Sequence, residues 1–182
     1  MSFFSRKHNL ISFKNFNEED EAEQWANQNY KNTEVNNEVM KTIATYCKED
    51  TPTLNLVLRN ETEATEINSG EIKSLDQFLQ GHRVNENIIV YRTINFNPFK
   101  KKRKFIEKGY MSTSLLNNSP AHVFNYKYRL KIYVPKGTNG FYVNFISCRP
   151  GEFEFLLKRN TTLHFIKESK IENLNLIECY IK

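Results

Sequence analysis

The sequence predicts an α+β fold with a mainly antiparallel sheet system. Up to about residue 85, apolar residues recur at helical spacing, whereas from Asn87 onward β-branched and aromatic residues follow the period of strands. Helices followed by strands, rather than alternating with them, are typical of this class. At 182 residues the chain suits a single domain, residues 1–182, that buries a core without disulfides.

Three helices are predicted in the helical part, about residues 1–85. The first covers residues 18–30, and the second has apolar residues every four positions over residues 35–47 and ends before Pro52. After a polar loop over residues 60–70, a third helix has a buried stripe over residues 72–79 and ends near residue 81. These helices are expected to pack on the β core that follows.

The β core, about residues 86–182, is predicted to carry the functional site. Its strands have alternating or continuous apolar character and are separated by turn residues. The predicted strands cover residues 88–94, 110–114, 129–134, 141–146, 152–157, 162–166 and 174–181. Five consecutive basic residues, 100–104, are interpreted as a solvated loop, or alternatively as a surface for an acidic protein patch or nucleic acid.

Composition limits the class of partner. The net charge of +5 favours an anionic ligand but is too small to indicate a nucleic-acid binder by itself. Three widely spaced cysteines and four scattered histidines have no disulfide or metal-ligand spacing, so no metal is expected. No apolar run approaches 18 residues and the N-terminus lacks a signal-peptide pattern, so no membrane segment is expected. As a separate expectation, we predict a monomer.

Two glutamates, Glu152 and Glu154, are the most informative pair in the sequence. In a β-strand they share one face and stand roughly 7 Å apart, opposite the face of Phe153 and Phe155. Two carboxylates on one face repel each other, and packing does not require them. Chemistry through a positively charged sugar carbon requires such a pair, as in glycosidases. Alternatively, this is an amphipathic strand with two solvated glutamates.

Two further polar features interrupt apolar strands. Arg92 lies in a run that should be buried, where its guanidinium either clamps an anion such as phosphate or reaches solvent at the strand end. Residues 112–114, Ser-Thr-Ser, place hydroxyls on a strand surface, either in a site or in ordinary cross-strand hydrogen bonds. An arginine, a hydroxyl triplet and two carboxylates thus lie on three separate predicted strands.

These features together resemble bacterial mono-ADP-ribosyltransferases of the Arg-Ser-Glu class, as in iota-type binary toxins and Rho-modifying exoenzymes. The resemblance covers most of the chain and implies an ADP-ribosyltransferase-like fold with a mixed, mainly antiparallel two-sheet β core. It also implies a toxin or effector that uses NAD+ as substrate. The matching segments are IVYR at 89–92, GYMSTSL at 109–115, YVPKG at 133–137 and EFEFLL at 152–157, with Asn55, Leu58 and Arg59 upstream.

The resemblance implies roles for four of these residues. Arg92 would hold the NAD phosphates, with the backbone of Thr93 near the carboxamide. Ser112 would orient Glu154 by a hydrogen bond. Glu154 would accept a hydrogen bond from the ribose 2′-OH and stabilise the oxocarbenium-like carbon as nicotinamide leaves.

Further NAD contacts are implied by position. Phe124 and Lys127 fall in the phosphate–nicotinamide loop, where the family usually has Phe and Arg. Lysine keeps the charge but lacks the bidentate fork, so pyrophosphate binding there is expected to be weaker. The remaining implied NAD contacts are Asn55, Arg59, Thr113 and Ser114.

Glu152 would determine the acceptor. In the family, Glu at this position accompanies arginine as acceptor and Gln accompanies asparagine, so arginine is expected, together with some NAD glycohydrolase activity. The turn before it, with Cys148 and Arg149, is expected to meet the target. Alternatively, Arg149 is a solvated loop charge and Cys148 an incidental small residue.

Besides the toxin or effector, two alternatives remain open. One is an intracellular bacterial or phage ADP-ribosyltransferase that modifies nucleic acid or host machinery, and the other is a non-catalytic module of the same fold that binds a nucleotide or a protein. A toxin would be secreted or injected and act in host cytosol, whereas the intracellular alternative is cytoplasmic. The target is expected to be a protein, with nucleic acid as the second choice.

Overall fold

Helices precede strands along the chain, as predicted. The computed structural model describes residues 12–48, 53–117, 126–147, 149–171 and 174–182. Within these ranges the helices are α1 (Glu19–Tyr30), α2 (Asn37–Lys48), α3 (Thr53–Leu58) and α4 (Glu66–Gly81). None of the helices in these ranges is long and apolar enough to cross a membrane.

Helix α4 begins earlier than the sequence pattern predicted. The polar loop was expected to extend to residue 70, but the helix starts at Glu66 because Thr65 caps it. The Asn68 backbone N–H donates to Thr65 Oγ1 over 3.1 Å, and the Asn68 side-chain oxygen accepts from the Thr65 backbone N–H over 3.3 Å. This reciprocal pair satisfies two backbone donors at the helix start. The predicted loop is therefore wrong over its last five residues.

The strands of the described chain form one mixed sheet. They are β1 (Ile88–Ile94), β2 (Lys104–Glu107), β3 (Met111–Ser114), β4 (Tyr128–Val134), β5 (Gly140–Tyr142), β6 (Glu154–Leu157), β7 (Thr161–Ile171) and β8 (Leu174–Ile181). Their order across the sheet is β2-β7-β8-β4-β1-β3-β6-β5. The β4–β8 pair is parallel and the other described pairs are antiparallel, which confirms the mainly antiparallel α+β class.

A narrow seam divides this sheet into two halves. Strand β1 pairs with β4 along its whole length, from Ile88 to Ile94. On its other side it pairs with β3 in one described register pair, Tyr91 opposite Ser114. The two sheets expected from the sequence are thus joined: a five-strand half, β2-β7-β8-β4-β1, meets a three-strand half, β3-β6-β5, at the β1–β3 seam.

Two predicted strands are shorter than expected. The strand predicted over residues 141–146 ends at Tyr142, because the chain then turns and the Ile146 N–H donates to the Val143 carbonyl over 2.8 Å. The strand predicted over residues 152–157 begins at Glu154. Both changes lie in one connection, residues 143–153, which joins β5 to β6 at the end of the three-strand half.

Aromatic side chains attach the helices to the three-strand half. Tyr30 of α1 contacts Phe141 edge to face with ring centroids 5.0 Å apart, and Trp25 lies 6.3 Å from Phe155. From α4, Phe78 contacts the same Phe141 ring at 4.9 Å. Edge-to-face pairs stabilise by about 0.5–1.5 kcal/mol beyond the area they bury. This packing fixes the three-strand half against α1 and α4.

Candidate active site

A buried carboxylate, Glu154, lies at the first position of β6. It pairs with Ser114 of β3, and strand alternation puts Ser112 on the same face. Ser112 Oγ donates to Glu154 Oε1 over 2.6 Å, and Glu154 is only 3% exposed. Its other oxygen, Oε2, is buried and has no hydrogen-bond partner among the residues that the structure describes. An unpartnered buried carboxylate oxygen is costly, so its presence indicates a functional demand.

A cation from the other half of the sheet contacts the strand that holds this carboxylate. Arg92 of β1 is half-buried, and its Nη1 donates to the backbone carbonyl of Ser112 over 3.3 Å. The guanidinium therefore crosses the seam and contacts the strand that orients Glu154. The structure brings Arg92, Ser112 and Glu154 together, as expected from the sequence.

Tyr46 of α2 lies near these residues, and the sequence pattern indicated it only as part of a buried helix face. Its hydroxyl donates to the Tyr110 carbonyl over 3.1 Å. Burial raises the pKa of Tyr46, Arg92 acts to lower that pKa, and Glu154 acts to raise it, so the hydroxyl stays protonated between two site charges. The signal in the sequence was a tyrosine on a buried helix stripe, because a buried phenol requires a hydrogen-bond partner.

Asn55 of α3 binds the backbone that leads into β3. Its Oδ1 accepts from the Tyr110 N–H over 2.7 Å, and its Nδ2 donates to the Tyr110 carbonyl over 3.0 Å and to the Tyr46 hydroxyl over 2.9 Å. Asn55 is 2% exposed, and a Cβ on Gly109 would come within 2.5 Å of its Oδ1. The Asn55 amide thus fixes the residue that precedes β3 and is not turned toward a ligand.

We expect Asn55→Ala to lower the free energy of unfolding by about 2–4 kcal/mol, because it leaves buried backbone groups of Tyr110 unpaired. Urea denaturation followed by circular dichroism measures this change, with an unchanged slope. The matched control is Asn17→Ala, which removes an exposed asparagine and should change stability by less than about 0.5 kcal/mol. Equal effects of the two substitutions would contradict the positioning role.

The hydroxyl of Tyr110 anchors the same segment to α4. It donates to the Ile72 carbonyl over 3.0 Å and to Asp76 Oδ1 over 3.1 Å. Asp76 in turn forms a 2.7 Å ion pair with Arg159, in the turn between β6 and β7. Tyr110, which directly precedes β3, is therefore held by both its backbone and its side chain. These contacts position the strand that carries Ser112.

Arg59 forms an ion pair with Glu107 next to the segment that leads into β3. Its Nε donates to Glu107 Oε1 over 3.0 Å, and that oxygen also accepts from the Gly109 N–H over 3.0 Å. Partial burial acts to lower the pKa of Arg59, but the bond to Glu107 and the nearby Tyr46 raise the pKa above its ordinary value. Arg59 thus brings a second fixed positive charge to the region of Tyr46.

The other hydroxyls predicted in the site are used within the sheet. Thr113 lies on the opposite face of β3 from Ser112, and its Oγ1 donates to the Phe155 carbonyl over 2.6 Å. Ser114 Oγ accepts from the Leu116 N–H over 3.1 Å. Thr93 follows Arg92 on β1, so these two side chains leave the strand on opposite faces. The structure does not bring the side chain of Thr113 to the face that carries Glu154.

Lys127 lies immediately before β4 with an exposed side chain. Its carbonyl accepts from the Asn175 backbone N–H over 3.1 Å and from the Asn175 side chain over 3.2 Å. Two other predicted residues, Phe124 and Cys148, lie outside the described residues. The structure therefore places one of the two residues expected in the phosphate–nicotinamide loop.

Glu152 lies in a turn and not on the predicted strand. Residues Pro150–Glu152 form one turn of 3-10 helix, and Phe153 then adopts a left-handed conformation with φ 49° and ψ 45°. The predicted alternation of Glu152 and Glu154 on one strand face is therefore wrong, because it requires an extended Phe153. A left-handed bulky residue costs about 1–3 kcal/mol and persists where its surroundings hold it. Phe153 is 3% exposed, so burial of its ring offsets this strain.

Arg149 contacts Glu152 within this turn. Its Nη1 lies 3.5 Å from Glu152 Oε1, and the two side chains are 32% and 30% exposed. Its Nη2 donates to the Lys48 carbonyl at the end of α2 over 3.0 Å. The guanidinium thus joins the turn to α2 while about a third of its side chain remains exposed to solvent.

The described residues contain no group of side chains suited to bind a metal ion. Within the described ranges, no three His, Cys, Asp or Glu side chains are grouped so that they could hold a metal ion. The groups that converge on the seam are instead one guanidinium, one serine hydroxyl, one phenol and one buried carboxylate.

Comparison with known proteins identifies the class. The structure resembles that of a C3-type ADP-ribosyltransferase from Clostridium botulinum, with a TM-score of 0.80 and 25% identity over 93% of this chain and 98% of that one. It also resembles the C3 exoenzyme of Clostridium limosum, with a TM-score of 0.81 and 22% identity over 94% of this chain and 98% of that one. The fold is therefore that of the ADP-ribosyltransferases.

The sequence assigns the chain to one family within this fold. The family description "ADP-ribosyltransferase exoenzyme" matches residues 22–106 and 99–178, and the chain belongs to this family. A relative, mono-ADP-ribosyltransferase C3 of Clostridium botulinum C phage, is 28% identical over 90% of this chain and 78% of its own length. The protein is thus a toxin-like ADP-ribosyltransferase, an enzyme class that uses NAD as substrate, and a similar structure from S. aureus was determined with NAD.

Proposed function

We propose that this enzyme transfers ADP-ribose from NAD+ to an arginine side chain of a target protein. One observation carries the proposal: Glu154 is buried, Ser112 fixes one of its oxygens at 2.6 Å, and the other oxygen has no partner among the described residues. A carboxylate with one oxygen fixed and the other without a partner is suited to accept a hydrogen bond from a substrate hydroxyl. We assign that hydroxyl to the 2′-OH of the nicotinamide ribose.

The chemistry needs a fixed negative charge at this point. When nicotinamide leaves, positive charge develops on the ribose carbon and its ring oxygen, and a preorganised carboxylate stabilises that charge mainly in the transition state. Ser112 holds Glu154 in one orientation, and Tyr46 and Asn55 fix the strand that carries Ser112. Little reorganisation is then required at the moment of bond cleavage.

The positive groups of the seam are assigned to the NAD phosphates. The Arg92 guanidinium presents fixed donors from β1, and Arg59 adds a charge near Tyr46. Lys127 would supply a further charge without a bidentate fork. The proposed contacts with NAD are completed by Phe124, Ser114, and the backbone of Thr93 and Thr113.

We expect Arg92→Ala to raise the Kd for NAD+ by about 10-fold to 100-fold, because a charge-assisted contact with phosphate is lost. Isothermal titration calorimetry measures this affinity. The control is Arg103→Ala, which removes an exposed arginine in the loop before β2 and should leave the Kd within about threefold. An unchanged Kd for the Arg92 variant would remove this residue from the NAD site.

The acceptor assignment depends on Glu152. Its carboxylate is 30% exposed in the turn next to Glu154 and already contacts a guanidinium, that of Arg149. A carboxylate can both position an arginine and accept its proton, whereas a glutamine in this place could only position it. This agrees with the family pattern in which Glu accompanies arginine, and it supports a protein-arginine acceptor.

A labelled-NAD assay tests the whole proposal. The purified protein is incubated with NAD+ carrying label on the adenine side, with and without an arginine-rich test protein, while released nicotinamide is measured separately. Without the test protein we expect slow nicotinamide release, and with it we expect label on the arginines of the test protein. Neither release nor transfer would instead support the non-catalytic module that binds a nucleotide or protein.

A nucleic-acid target is the second candidate. The basic residues 100–104 are all exposed, from the connection after β1 into the first residue of β2, which suits a polyanionic partner. Label recovered on added DNA or RNA, and not on protein arginine, would favour this candidate. On the first proposal the enzyme is a toxin or effector that acts in the cytosol of a host cell.

A further inference from the structure

The turn that carries Glu152 already holds an arginine in contact with it. Arg149 Nη1 lies 3.5 Å from Glu152 Oε1, and Arg149 Nη2 donates to the Lys48 carbonyl over 3.0 Å. Two contacts therefore hold the guanidinium against the carboxylate, although both side chains are about a third exposed. A guanidinium beside this carboxylate is the arrangement that an arginine acceptor would require.

We propose that Arg149 occupies the acceptor position of the enzyme and is itself ADP-ribosylated. The inference rests on the proposed function, because it takes Glu152 as the group that receives the proton of an arginine acceptor. Arg149 is then both an internal acceptor and a competitor of the target protein for the same carboxylate.

The reaction balances with NAD+ as the only co-substrate. The bond between the ribose C1 carbon and the nicotinamide nitrogen breaks, and nicotinamide leaves with the electron pair of that bond. Arg149 Nη1 then attacks the oxocarbenium carbon and forms a new C–N bond, while its proton passes to Glu152. Glu154 stabilises the positive carbon in this step as it would for an external acceptor. No oxidant, reductant or metal takes part.

The connection between the two glutamates makes this geometry available. One residue, Phe153, separates Glu152 from Glu154, and its left-handed backbone turns the chain between them. The buried carboxylate and the acceptor carboxylate are therefore neighbours in the chain, and Arg149 contacts the second from three residues upstream. The acceptor nitrogen and the carboxylate that receives its proton thus belong to one short turn.

The same turn explains why Nη1 would be the reacting nitrogen. Nη2 donates to the carbonyl at the end of α2, which holds the guanidinium plane in place. Nη1 is the nitrogen beside the Glu152 carboxylate. Attachment of ADP-ribose at Nη1 would separate the two side chains, so the modified protein would no longer hold Arg149 against Glu152.

The test uses the purified full chain with labelled NAD+ and no added acceptor. We expect label on the protein, mapped to Arg149 by peptide mass spectrometry, at a first-order rate that does not change when the protein is diluted tenfold. An excess of free arginine or of an arginine peptide should slow this labelling. Nicotinamide release is measured in the same samples, so that label is expressed per nicotinamide released.

Three variants make the outcome decisive. Arg149→Lys should lower label per nicotinamide released at least tenfold, whereas Arg83→Lys, at an exposed arginine outside the site, should keep the wild-type ratio. Glu154→Gln should lose label by losing NAD cleavage. Nicotinamide release with no label on Arg149, or with label on other residues instead, would overturn this inference and leave the transferase proposal standing. Absence of nicotinamide release would overturn both.

Discussion

The variant Glu154→Gln is expected to lower kcat for nicotinamide release by about 100-fold or more, the cost of removing a preorganised charge-stabilising group. Glutamine has nearly the same shape and can still accept the 2.6 Å hydrogen bond from Ser112, so the substitution removes the charge and preserves the fit. Release of nicotinamide under saturating NAD+ measures the effect. The control, Glu168→Gln, neutralises an exposed glutamate of β7 and should keep the wild-type rate.

Stability separates loss of chemistry from loss of fold in this experiment. Glu154 Oε2 is buried without a partner in the described part of the chain, so the native state leaves a buried polar atom unsatisfied there. Neutralisation should leave the urea midpoint of Glu154→Gln equal to or above that of the wild type. A variant that cleaves NAD at the wild-type rate would contradict the assigned role. Lost activity with a clearly lower midpoint would point to a structural role instead.

The strands that carry the candidate site could be predicted because their sequence patterns depend only on nearby residues. The β-branched run of β1 and the alternation of β4 depend on neighbours within a few residues, and both strands lie where the pattern placed them. Ser112 and Glu154 also follow from alternation, since a one-residue change of register would move both to the other face. Arg92 was identifiable because a cation in a buried strand requires an explanation.

The contacts that position the site could not be predicted, because they join residues far apart in the chain. Asn55 binds Tyr110 across 55 positions, and Tyr46 binds the same residue across 64. The pattern of α2 indicates that Tyr46 is buried, but it contains no information about which backbone carbonyl the hydroxyl meets. Likewise, no local pattern indicates that Asn55 is used inside the protein instead of toward a ligand.

The left-handed backbone of Phe153 could not be predicted, for a different reason. Its sequence neighbours alternate between charged and apolar, which is the pattern of a strand, and left-handed backbone is uncommon for a bulky side chain. Tertiary burial of the ring, at 3% exposure, overrides this local preference. The consequence is functional: Glu152 leaves the strand face and enters the turn with Arg149, where it contacts a guanidinium instead of lying beside Glu154 on one strand.

The seam between the sheet halves explains why these residues meet. Arg92 belongs to the five-strand half, whereas Ser112 and Glu154 belong to the three-strand half. The halves share one described register pair, so their edges separate on either side of it and leave backbone such as the Ser112 carbonyl available to Arg92. A fully paired β1–β3 ladder would use that carbonyl in the sheet. The limited pairing therefore lets Arg92 of one half contact the strand of the other half that orients Glu154.

The last consequence concerns the acceptor. We expect Glu152→Gln to keep nicotinamide release within about threefold of the wild type but to lower transfer to arginine by about 100-fold, the size of a lost general base. Glutamine at this position can still hydrogen bond to a guanidinium but cannot take its proton or balance its charge. The two activities are measured in one reaction, as released nicotinamide and as label on an arginine peptide.

The control for this variant is again Glu168→Gln, which should alter neither activity. If Glu152→Gln lowers release and transfer equally, Glu152 acts on NAD cleavage and has no separate role toward the acceptor. If instead transfer to arginine falls and label moves to asparagine side chains, the acceptor choice lies in this one carboxylate. The ion pair between Arg149 and Glu152 supports the expected loss of transfer to arginine, because only a carboxylate balances the charge of the guanidinium it contacts.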